Sequence, residues 1–132
     1  VSFELEFKRA TEIVINANEK VIRGAALELF GAIIKLTPVD TGRLRGNWQA
    51  SVNTPLSSVS STTDKGGNST LTRSKAGIAA FSLSDVIYFT NNLPYAETIE
   101  NGSGKRRPVG MVKSSIKAFT PYLEKMARKV KK

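Results

Sequence analysis

Apolar and polar residues recur along this chain with two different periods, and each change of period marks an element. Across residues 11–36, Val14, Ala17, Val21, Ala25, Leu29, Ala32 and Leu36 follow one another at steps of three or four, as on one face of a helix. A second line, Ile15, Ile22, Ala26, Phe30 and Ile33, widens that face and predicts a long helix buried on more than one side. Gly24 and Gly31 interrupt it. Each costs about 1 kcal/mol relative to Ala, which predicts close packing of another element against them. Near the other end, Val112, Ile116, Phe119, Leu123, Met126 and Val130 form a second helical stripe with lysines opposite. Pro121 either kinks that helix or opens a fresh one capped by Thr120.

Residues 1–8 fit both periods. Val1, Phe3, Leu5 and Phe7 alternate with polar neighbours as in a half-buried strand, yet Phe3, Phe7, Ala10, Val14 and Ala17 also extend the first helical stripe. The helical reading is favoured because it continues into the next segment.

Between the helices the pattern turns to strands and turns. Thr37-Pro38-Val39-Asp40-Thr41-Gly42 stops the first helix, since Thr37 precedes a proline and Gly42 admits positive φ. Residues 44–52, LRGNWQASV, suit a strand with Trp48 as its anchor. Residues 54–75 are dominated by Ser, Thr, Gly and Asn, which predicts a long polar loop, mobile or ordered by a neighbouring molecule. Residues 76–83 suit a short helix or an edge segment, and residues 86–90 (VIYFT) a strand closed by Asn91-Asn92-Leu93-Pro94. Residues 95–101 suit a short helical turn ending at Gly102. The whole reads as one α+β domain over residues 1–132. A long N-terminal helix and a C-terminal amphipathic helix pack on a small, mostly antiparallel sheet.

Composition narrows the chemistry. With 132 residues, 40% of them apolar, the chain can bury roughly two thirds of its unfolded surface and needs no metal or disulfide to fold. It contains no cysteine and no histidine, which removes thiol nucleophiles, thiolate zinc sites, Ser-His-Asp triads and imidazole bases. No apolar run approaches the roughly 20 residues of a membrane span. The opening VSFELEFKRA lacks the layout of a signal peptide, so a soluble intracellular protein is expected. Net charge is +9, and all of the excess lies in residues 105–132, where ten basic residues face the single Glu124. Such an end suits DNA, a membrane surface or an acidic partner, or is a solvated helix face.

Glu97 and Glu100 would share a face of a helical turn, but no third ligand type stands near them, so pairing with arginines is the better account. Gly104-Lys105 aligned on a P-loop puts Ile99 at the first glycine and Arg106 at the Ser or Thr, so nucleotide binding is rejected. No catalytic residue, metal site or cofactor is expected. In the turn, Asp40 and Thr41 suit capping of backbone N–H groups. Arg43 and Arg45 would share a strand face within reach of Glu97 or Glu100.

TPVDTGRLRGNWQ (residues 37–49), then NNLPYAETIENG (residues 91–102), then PVGMVK (residues 108–113) resemble, in order and spacing, the HK97-type tail-completion proteins of long-tailed bacteriophages. The likeness runs from about Leu27 to Phe119, with Gly104-Lys105-Arg106-Arg107 departing from the pattern before Pro108. It implies a non-enzymatic virion protein at the neck or top of the tail, assembled in the host cytoplasm. It also implies a homo-oligomeric ring of sixfold-related symmetry. Head-closure or connector proteins would lie on one side, tail terminator or tube proteins on the other, and packaged DNA in the channel. Asp40, Thr41, Gly42, Arg43, Arg45 and Trp48 would form the framework, with Tyr95, Glu97 and Glu100 beside it. The loop at 54–75 and the basic C-terminal helix would be interface elements. The alternative is a small non-specific DNA-binding protein acting through Lys105, Arg106, Arg107, Lys125, Arg128 and Lys129. No membrane partner is expected.

Overall fold

The computed structural model describes residues 3–6, 19–82, 84–105 and 107–130. The elements run β1 (Phe3–Glu6), α1 (Glu19–Leu36), α2 (Arg43–Gly46), β2 (Trp48–Val52), α3 (Asn68–Gly77), β3 (Ile87–Asn91), α4 (Ala96–Asn101) and α5 (Met111–Val130). Helices from both ends of the chain accompany a small antiparallel sheet of order β1-β3-β2, so the α+β expectation holds.

Register sorts the sheet's two faces. Phe89 stands opposite Leu5 on one side and Ala50 on the other, while Thr90 stands opposite Glu4 and Gln49. The face holding Trp48, Ala50, Ile87 and Phe89 is the core face, and all four are buried. Helix α1 supplies the opposing layer with Ile22, Ala25, Ala26, Leu29, Phe30, Ile33 and Ile34. Phe89 lies at the centre of an aromatic column, stacked on Phe30 at 4.0 Å and on Trp48 at 4.8 Å. Each such side chain contributes on the order of 2 kcal/mol by leaving water. Helix α5 docks through Met111, Ser115 and Phe119.

Several expectations need correction. Residues 3–6 are a strand, because pairing with β3 satisfies their alternation, and tertiary pairing overrides the helical fit. Residues 11–18 of the expected first helix lie outside the described residues. On α1 the buried face is centred on the second apolar line, and Ala32 and Leu36 of the first line are exposed. A Cβ placed on Gly31 would stand 3.9 Å from Leu71 and one on Gly24 would meet no described neighbour within 4 Å, so neither marks a close approach. The strand expected over 44–52 begins at Trp48, because residues 43–46 coil into α2, with Gly46 N–H donating to Gly42 O at 2.9 Å.

The polar loop expected over 54–75 also ends early, at Gly67, where α3 begins. Asp64 starts that helix: its carboxylate accepts from Gly67 N–H at 3.0 Å, Thr70 N–H at 2.7 Å and the Thr70 hydroxyl at 2.7 Å. Burial alone would raise the Asp64 carboxyl, but these hydrogen bonds and the nearby Arg73 outweigh it and hold the pKa below 3.8. On α5, Pro121 lies inside one continuous helix, and Ile116 of the expected stripe is 37% exposed.

Candidate functional site

Thr37, the residue just after α1, is the hub of the motif region. Its hydroxyl donates to Ile33 O at 2.7 Å and accepts from Trp48 Nε1 at 2.9 Å, with Met111 Sδ 3.5 Å away. One buried oxygen thus ties the helix end, the strand entry and the start of α5 together, and satisfies the indole N–H that burial would otherwise strand. Asn47 and Asn91, both fully buried, extend the network. Asn91 Nδ2 donates to Leu44 O at 2.8 Å, which binds the end of β3 to α2.

The predicted site residues separate into distinct roles. Gly42 turns the chain at φ +90°. Thr41 Oγ1 accepts from Arg43 N–H at 3.2 Å, as the capping expectation required. Asp40 is exposed and makes no hydrogen bond with a described residue, so the turn's capping role there falls to Thr41 alone. Arg43 and Arg45 stand on the helical turn, which removes the expected shared strand face and their pairing with Glu97 or Glu100. Arg43 Nε donates to Ser60 O at 3.2 Å. Arg45 donates to Lys65 O at 2.6 Å and to Lys35 O and Thr37 O at 3.0 Å each, so its guanidinium caps the negative end of α1.

Glu100 is 1% exposed and accepts from Val112 N–H and Lys113 N–H, both at 3.0 Å. It therefore caps the first turn of α5 with a carboxylate, where the helix dipole favours negative charge. Two backbone bonds, Val109 N–H to Ile99 O at 2.9 Å and Gly110 N–H to Glu100 O at 3.1 Å, complete the junction. Glu97 is exposed on the same helix, so the two carboxylates do not share a site. Tyr95, 41% exposed, faces the turn across an open cleft of about 400 Å³ that Val39, Asp40, Arg43 and Ile99 also line. Lys105, Arg107 and Lys125 are exposed. Arg128 and Lys129 belong to the last turns of α5, and Arg106 lies outside the described residues.

A strap, residues 55–63, crosses the polar face of the sheet. Gln49 Nε2 donates to Ser58 O at 2.7 Å, Thr90 Oγ1 to Leu56 O at 3.1 Å, and Asn92 Nδ2 to Leu56 O at 2.7 Å. Asn47 both donates to Ser60 O at 2.9 Å and accepts from Ser60 N–H at 2.8 Å. The strap is held by its own chain, through amide and hydroxyl side chains rather than a backbone ladder. Apolar periodicity gave no sign of these latches. The signal was the run of polar residues at alternate positions of the strand segments, Asn47 with Gln49 and Thr90 with Asn92.

Among the described residues no cluster of three acidic side chains forms a metal site, and no helix is long and apolar enough to cross a membrane. Comparison of the chain with protein-family models, with curated proteins and with solved structures finds no match.

Proposed function

We propose that this chain is a structural virion protein of a long-tailed bacteriophage, a neck or tail-completion component without enzymatic activity. In this reading it forms a ring at the head–tail junction and joins head to tail around the DNA channel. One observation carries the reading: the three segments that bear the family likeness, far apart in sequence, knit into one unit. Trp48 bonds Thr37, Asn91 bonds Leu44, and Glu100 bonds Val112 and Lys113. Most of the motif's polar groups are spent on backbone and on one another, which suits a framework that presents surfaces to other proteins. The exposed Lys105, Arg107 and Lys125 suit contact with the phosphates of packaged DNA.

The test is to delete the chain from the phage or prophage genome that encodes it and image the particles. Filled heads and separate tails are expected. Normal infectious virions with joined tails would overturn the proposal.

A further inference from the structure

We infer, independently of the virion reading, that the strap is a releasable cover, which opens as one unit between two fixed anchors while the sheet beneath stays folded. Asn53 is the first anchor. Its N–H donates to Val86 O at 2.7 Å, its Oδ1 accepts from Val86 N–H at 2.9 Å, and its Nδ2 donates to Asp85 Oδ1 at 3.0 Å. It holds φ +66°, a left-handed conformation that Asn tolerates, where the chain turns from β2 into the strap. Asp64 is the second anchor. Its N–H donates to Gly42 O at 2.9 Å, and its carboxylate starts α3. Backbone also meets backbone closely at this end, since a Cβ on Gly46 would stand 2.8 Å from Thr62 O.

Between the anchors the fastenings change in kind. Among the described residues, no main-chain hydrogen bond joins residues 55–63 to the main chain of another segment. Side chains hold the strap instead: Thr90 and Asn92 on Leu56 O, Gln49 and Asn92 on Ser58 O, Asn47 and Arg43 on Ser60 O. The bonds from Gln49, Asn92 and Arg43 lie at the surface, where water replaces a lost partner at little net cost. Apolar burial adds little. No strap residue belongs to the hydrophobic core, and Leu56 and Val59 are 42% and 47% exposed. A cavity of about 230 Å³, lined by Leu56, Gln49, Arg73 and Gly77, leaves the space between strap, β2 and α3 loosely packed. Residues that come free regain backbone entropy. Few buried apolar contacts and many exposed hydrogen bonds mark a segment that opens well below the global free energy. Opening turns out Asn47 and Thr90, each 1% exposed when the strap is closed, and with them the polar face of the sheet.

Native-state hydrogen exchange provides the first test. The Ser60 N–H donates to the buried Asn47 and so follows the strap. It should exchange through an opening that barely responds to dilute denaturant, because that opening exposes little surface. The Asn53 and Asp64 N–H groups, and the amides paired between β2 and β3, should need larger openings with a steep denaturant response. The chain has no cysteine, so single thiols give a second readout. Thr90→Cys places one under the strap, and Ala50→Cys places one on the core face of the same sheet. A thiol reagent should modify the first about a hundredfold faster than the second in the folded chain. Exchange of the Ser60 N–H with the free energy and denaturant slope of the β3 amides would overturn the inference, and so would equal modification of the two thiols. Should either thiol variant fail to fold, exchange in the unaltered chain decides alone.

Discussion

Gly42 has φ +90°, and a Cβ there would stand 2.7 Å from Lys65 N and 2.9 Å from the Asp64 backbone. Both features act against any other residue: the left-handed conformation disfavours a side chain, and the colliding atoms are backbone that cannot rotate away. Gly42→Ala should therefore destabilise the chain by about 2–4 kcal/mol, read as a fall in the denaturant midpoint with unchanged slope. The neighbouring Asp64 gives a pH signature. Its carboxyl titrates below 3.8 in the folded chain, so it contributes stability that is fully present above the unfolded value and is lost as the pH falls through the folded one. Asp64→Asn should be less stable than the native chain at neutral pH, and the gap should narrow steadily below about pH 4. A gap that stays constant into acid would show that the charge plays no part.

Helix α5 depends on an acceptor outside itself. Glu100 meets two of its first N–H groups while buried, so Glu100→Gln keeps one acceptor and turns an amide NH2 towards the other donor. The expected cost is about 1–3 kcal/mol. Hydrogen exchange should locate it, with amides of α5 losing protection before those of β2 and β3. Elements also differ in how far they were legible in sequence. Helices α1 and α5 declared themselves through apolar spacing, and β3 through its β-branched and aromatic run. Helix α3 did not, because its buried face is Thr70 and Ser74, with Ile78 just beyond its end, and a search for apolar periodicity passes over hydroxyls. Its start rested on Asp64, a capping residue read as part of a loop. Strand β1 is ambiguous in sequence because its alternation also fits a helical stripe that continues into the next segment, and only pairing with β3 decides between them. The turn at residues 43–46 was lost for a similar reason, since LRGNW carries no sign that its first four residues coil and its fifth extends. The partners of Arg43, Arg45 and Glu100 were not visible in sequence. They are backbone atoms, which one-dimensional charge matching cannot find.

At the scale of the molecule, charge and framework are separable. The whole excess of +9 lies in residues 105–132, whereas two of the motif's three segments, 37–49 and 91–102, lie in the electrically balanced remainder. In the described part of that segment, the contacts that dock it use Met111, Ser115, Phe119 and the backbone N–H groups of Val112 and Lys113. Exposed Lys105, Arg107 and Lys125 enter none of them. Replacing the exposed Lys105, Arg107 and Lys125 together by Gln should leave the melting temperature and, in the proposed ring, the assembled mass nearly unchanged, since exposed charges contribute little to stability. Retention on duplex DNA should respond differently. The native chain should lose affinity steeply between about 50 and 200 mM salt, as expected when several counterions are released. The variant should bind more weakly at low salt and show a slope smaller by several units, about one for each phosphate contact removed. Loss of assembly in the variant would place these side chains between protein copies instead. An unchanged salt slope would place any DNA contact elsewhere on the molecule.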